Sequence, residues 1–131
     1  KEENLAFMEA LIMEMDFGRV TRISADYHDE MIAFTSQLPH AIAVALVNSD
    51  VEGRETEKFT GDSYRELTRI AKINEELWSE LFLENKEYLL KSIQTFEDQL
   101  DLIKAAIKND DSVALKQLFI QSTKRREKFD R

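Results

Sequence analysis

Residues 31–49, MIAFTSQLPHAIAVALVNS, contain no Asp, Glu, Lys or Arg. A helix that is apolar on nearly every side must be surrounded by other protein or by lipid. A membrane span needs roughly 20 predominantly apolar residues. This run includes Thr35, Ser36, Gln37, Pro39, His40, Asn48 and Ser49, so it reads as a buried helix and no membrane partner is expected. A chain of 131 residues has a narrow interior, and the run is expected to be shared with a second copy. Pro39 removes a backbone donor and is expected to kink or break the helix. Ala41, Ala43 and Ala45 permit close helix-to-helix approach.

The rest of the chain is predicted to be helical. It has three glycines and one proline, too few for a loop-rich or many-stranded fold. Leu5, Met8, Ile12 and Met15 recur at helical spacing, predicting a helix over 2–16 that Phe17 and Gly18 end. "RVTRIS" (19–24) reads as a short strand. Residues 1–25 are therefore expected to be the last unit of a preceding α/β domain, and 26–131 a helical domain. A chain starting at Lys1 is expected to be a piece of something longer. Ser24 or Asp26 is expected to cap the helix through Tyr27, His28, Met31 and Phe34. Residues 49–62 read as a loop, and Ser63 with Glu66 as a capping box. Asn74 is expected to cap the helix beginning EELWSELF. Leu89, Ile93, Phe96, Leu100, Ile103 and Ile107 alternate by four and three, a coiled-coil-like seam. "NDD" at 109–111 breaks it before a last helix with Leu115, Leu118 and Phe119 on its apolar face.

The formal net charge of −8 disfavours nucleic acid, whose phosphates require clustered Lys and Arg. The absence of cysteine fits a reducing compartment, and with no secretory signal visible the expected location is cytoplasmic.

Few residues offer chemistry. His28 and His40 are about 18 Å apart along a straight helix, too far to share a metal. The pair His28-Asp29 lacks the further histidines a metal-dependent phosphohydrolase would need, so no metal is expected. His40 reads either as a core histidine bonded to a carbonyl freed by Pro39 or as a group facing a cavity. Arg65 and Arg69 lie four apart on one helical face, beside Thr68. Their mutual repulsion calls for an acid such as Glu66 or for a bound anion, and paired guanidinium groups suit carboxylates. Trp78 reads as core or as a ligand contact.

Together, "YHDEMIAFTSQLPHAIAVALV" and "FTGDSYRELTRIAKINEELWSELFLENKEYLL" resemble the C-terminal helical domain of prephenate dehydrogenase: a His-Asp pair, a Leu-Pro-His, a Thr-Arg-Ile-Ala and a Trp, in order. The resemblance covers about residues 18–126. It implies an all-α helical-bundle dimerisation domain of the 6-phosphogluconate-dehydrogenase-like C-terminal type, preceded by a short helix-strand remnant of a nucleotide-binding domain. It further implies an oxidoreductase that converts prephenate to 4-hydroxyphenylpyruvate on the way to tyrosine, using NAD (or NADP) held mainly by another domain. The catalytic histidine belongs to that domain, so none is expected here and the fragment alone is expected to be inactive. Substrate-binding roles carry over to His40, Arg69, Arg65 and Trp78. Ser36 is placed one turn before His40, with His28, Thr68 and Glu66 behind them. The family often has His where this chain has Gln37, and more glycine near Asp62. The expected partners are prephenate and a second copy in a homodimer. The competing readings are arogenate dehydrogenase, another dehydrogenase with a helical dimer domain, and a non-enzymatic helical module using the Leu89–Ile107 seam.

Overall fold

The computed structural model describes residues 1–130, and every regular element among them is a helix or a helical turn. Helix α1 spans Glu2–Glu14 and buries none of its residues. It ends where Asp16 enters the left-handed region at φ 66°, a conformation that Asp tolerates better than most residues. The reversal therefore falls at Asp16 and not at Gly18. Residues 19–24 form no strand, contrary to the sequence expectation. A strand needs a ladder partner, and no other described residue supplies one. The segment is held instead by Arg22. Its Nε and Nη2 donate to both carboxylate oxygens of Glu9, at 2.5 and 2.8 Å, and its Nη1 pairs with Glu2.

Helix α2 spans Ala25–Ile32, capped by the Ser24 hydroxyl, which accepts from the Tyr27 amide at 3.1 Å. A π-helical turn, Ala33–Gln37, joins it to α3, Leu38–Asn48. Pro39 thus neither breaks nor ends the helix. Within the turn the Leu38 amide reaches the Ala33 carbonyl, five residues back. The wider turn takes in the missing donor and the ring of Pro39 near the start of α3. The result is one 24-residue helix, Ala25–Asn48, long and apolar enough by length and composition to cross a membrane. Of its central polar side chains, Gln37 bonds the Leu81 carbonyl and His40 stacks on Trp78, both beyond this helix.

The loop after α3 contains a 3₁₀ turn at Thr56–Lys58. Helix α4 covers Asp62–Thr68 and runs into a 3₁₀ turn, Arg69–Ala71. The Ser63/Glu66 capping box does not form. The helix starts earlier, with Gly61 at the cap and Asp62 in the first turn, where its carboxylate suits the helix dipole. Helix α5, Glu75–Glu84, is capped by Asn74, whose Oδ1 accepts from the Leu77 amide at 2.9 Å. Helix α6 runs Lys86–Lys108. Asp110, at φ 53°, turns the chain. The Asp111 carboxylate then caps α7, Ser112–Arg126, accepting from Val113 and Ala114.

Helices α2, α3 and α6 pack around Ala33, Leu38 and Leu89, joined by Ile42, Phe82, Tyr88, Ile93 and Phe96. Ala43 and Ala106 are also buried, and a small residue lets neighbouring backbones approach. The seam of α6 is divided. Leu89, Ile93 and Phe96 face this core, whereas Leu100 and Ile107 are exposed. Phe119 is exposed as well, so the apolar face of α7 narrows to Leu115 and Leu118.

Candidate functional site

The π-turn directs the residues that follow it. His40, three positions beyond Gln37, is half-buried. Its ring stacks on Trp78 of α5, with centroids 3.7 Å apart and planes 28° from parallel. Trp78 meets Phe82 edge-on at 5.8 Å. His40 Nδ1 lies 2.8 Å from the Ser36 carbonyl. A carbonyl only accepts, so Nδ1 carries the proton, and Nε2 is the nitrogen left for a ligand. Ser36 therefore belongs to this group through its backbone.

Helix α3 also packs against α4 and the Arg69–Ala71 turn, the two elements that carry the arginines. Arg65 and Arg69 are both exposed. Among the described residues neither forms an ion pair, with Glu66 or with any other acid. Thr68 donates to the Tyr64 carbonyl at 2.7 Å, which fixes its hydroxyl inside α4. His28 stands apart on the exposed side of α2, with Nδ1 3.0 Å from Asp29 Oδ1. Among the described residues no three metal-ligating side chains come together.

Beside Trp78 an open hollow of about 430 Å³ runs between α3 and α5, lined by Val44, Ala45, Ile73, Trp78 and Phe82 with Asn48 and Glu75 at its polar edge. A smaller one, about 300 Å³, lies between α2 and α6 beside Tyr88, Glu30 and Lys91. Partial burial raises the Tyr88 phenol above its ordinary range, helped by the charges of Asp26, Glu30, Asp29 and Glu87.

Residues 24–121 match the family described as prephenate dehydrogenase, dimerization domain. The chain belongs to this family. It is 35% identical over 115 residues to a cyclohexadienyl dehydrogenase from Zymomonas mobilis, covering 83% of this chain and 39% of that one. Its fold is that of the crystallised Synechocystis arogenate dehydrogenase, with a TM-score of 0.89 at 24% identity over 98% of this chain and 48% of that one. Prephenate dehydrogenase from A. aeolicus, crystallised with hydroxyphenyl propionate and NAD+, superposes with a TM-score of 0.80 at 30% identity, over 97% of this chain and 46% of that one. The chain thus spans less than half the length of each of these relatives. These relatives are dehydrogenases, and the all-helical fold expected from the sequence is the one found.

The chain's own residues do not build a dinucleotide cradle. In such a cradle glycines stand where a side chain would collide with the pyrophosphate or with packed backbone. Here the three glycines stand at 18, 53 and 61, too far apart in sequence to form one such turn.

Sequence reasoning missed one polar cluster. Gln37, only 4% exposed, donates from Nε2 to the Leu81 carbonyl at 3.0 Å and accepts at Oε1 from Asn85 Nδ2 at 2.9 Å. Asn85 Nδ2 also donates to the Asp29 carbonyl at 2.9 Å. Two signals pointed there: an amide inside an otherwise apolar run, which needs a partner once buried, and an asparagine interrupting the helical pattern between Glu84 and Lys86.

Proposed function

We propose that this chain is the substrate-binding and dimerisation portion of an NAD-dependent dehydrogenase that oxidatively decarboxylates prephenate to 4-hydroxyphenylpyruvate in tyrosine biosynthesis. His40 and Trp78 form one wall of the substrate site. Arg69, with Arg65, holds a carboxylate, and Ser36 fixes the His40 ring through its carbonyl. Thr68 and Glu66 stand behind them, whereas His28, paired with Asp29 on the outer side of α2, lies outside the site. Residues 1–25 are the end of the nucleotide-binding unit, and NAD (or NADP) is bound mainly by the rest of that unit. The protein works in the cytoplasm as a homodimer.

The observation that carries this reading is the His40–Trp78 stack, with Nδ1 committed to Ser36, on a helix packed against the turn that bears Arg69. Two arginines four residues apart, without acidic partners among the described residues, suit a substrate with two carboxylates. The matched family, described as a dimerization domain, supports the dimer, and the exposed surface leaves room for it. The chain's accessible surface is 11388 Å², against about 7,100 Å² for a compact monomer of 15.3 kDa. A second reading is activity on arogenate, favoured by the 35% identity to a cyclohexadienyl dehydrogenase.

The test is NAD-dependent oxidation by the intact protein as its gene encodes it, with prephenate and arogenate compared. Arg69→Ala and His40→Asn should each raise KM for the cyclohexadienyl substrate and leave KM for NAD unchanged. The 131-residue chain alone should show no turnover. Wild-type kinetics in both variants would refute the assignment.

A further inference from the structure

The Gln37–Asn85 cluster occupies the place from which the His40–Trp78 stack is set. A π-turn is rare and occurs mostly as a single-turn bulge inside an α-helix, frequently at functional sites. Here Asn85, at the corner between α5 and α6, bonds both sides of the turn. One N–H of its amide goes to the Asp29 carbonyl just before it, and the other goes to Gln37 at its end. Gln37 then ties the turn to α5 through the Leu81 carbonyl.

The register of these bonds matters. Gln37 meets Leu81. Three residues further along α3, His40 meets Trp78, three residues back along α5. The two contacts are consecutive rungs between antiparallel helices. Loss of the Gln37 rung frees the π-turn to revert to α geometry. That change would rotate every later residue of α3 by about 100° for one residue of a 3.6-residue turn. His40 would leave the face of Trp78.

We propose that Gln37 and Asn85 are positioning residues. They lock the π-turn so that the His40 ring lies on Trp78 with Nε2 presented to the substrate, and they thereby set substrate affinity without touching the substrate. This inference rests on the site proposed above, so its test separates the two.

The experiment uses the intact protein labelled with 5-fluorotryptophan. The Trp78 fluorine signal is assigned by its loss in Trp78→Phe. Gln37→Leu and Asn85→Ala should each move that signal, because the ring current of His40 shifts with the ring. In both, kcat/KM for prephenate should fall on the order of 10- to 100-fold, the range for a reacting group misplaced by about 1 Å. The loss should be carried by KM for prephenate, with KM for NAD unchanged. The double variant should be little worse than either single one, because the two residues act as one unit. If Gln37→Leu does not accumulate folded, Asn85→Ala, which replaces a half-exposed residue, carries the test. A lowered melting temperature with an unmoved fluorine signal and unchanged KM would overturn the positioning role while His40→Asn remains defective. Unchanged prephenate kinetics in His40→Asn would overturn the underlying site and this inference with it.

Discussion

The exposed half of the α6 seam gives a quantitative prediction about assembly. Ile107 is 61% exposed and Leu100 is 50% exposed, although both continue the line that starts at buried Leu89. The chain exposes roughly 4,200 Å² more than a compact monomer of its mass. If a second copy covers half of that excess on each chain, the pair buries about 4,200 Å² in total, within the obligate range of about 2,000–5,000 Å². Full burial of an isoleucine is worth about 1.5–3 kcal/mol. The exposed fraction of Ile107 then contributes about 1–2 kcal/mol per chain, and a two-fold interface counts it twice. Ile107→Ser should therefore weaken association by about 2–4 kcal/mol, roughly 30- to 700-fold in Kd. Sedimentation of the intact protein across a dilution series reads this directly. Wild type should remain dimeric at nanomolar concentration, with the variant dissociating at higher concentration. A folded wild-type monomer at micromolar concentration would refute the reasoning.

Three further outcomes follow from the packing and charges. Leu89→Ala truncates one of the two buried leucines of the central cluster and should cost about 2–5 kcal/mol in urea unfolding; a cost under about 0.5 kcal/mol, typical of surface sites, would show that the core lies elsewhere. Tyr88 should ionise above its ordinary value of 10.0, seen as a high-pH absorbance step lost in Tyr88→Phe. Because its folded pKa is raised, the associated stability is intact below that value and is lost as pH rises through the folded one. The Arg22 hydrogen bond, and then its charge, hold Glu9 below its ordinary 4.5. That contribution is present above this value and is lost as pH falls through the lowered one. Acid should thus release residues 19–24 from α1, visible as loss of the Arg22 Nε–H signal, while Glu9→Gln should release them at neutral pH.

Most of the helical plan was legible because its signals are local. Ser24 and Asn74 cap their helices as their residue types demand, and the apolar spacing of 86–108 appears as one long helix. Ser63 failed as a cap because the Ser-x-x-Glu pattern competes with a start at Gly61 and Asp62, which local spacing cannot rank. The strand at 19–24 failed because a strand is completed by a partner, and no described residue is one. Pro39 invites the expectation of a kink or break because proline rules assume α geometry; the π-turn satisfies them differently, held by Asn85 from 48 residues away. The same non-local bond hid the Gln37 cluster. His40 and Trp78 were legible as residues worth weighing, whereas their stacking depends on the register of two helices that neither sequence segment encodes alone.

The central claim is that Arg65 and Arg69, on the two elements that pack against the helix carrying His40, bind an anionic cyclohexadienyl substrate. Its most direct test is calorimetric titration of prephenate into the intact protein and its Arg69→Ala and Arg69→Lys variants. Loss of a charged hydrogen-bond partner costs about 1.5–3 kcal/mol, so Arg69→Ala should weaken binding roughly 10- to 150-fold. Arg69→Lys should recover only part of this, because an ammonium lacks the bidentate fork. Identical affinities in all three proteins would contradict the account.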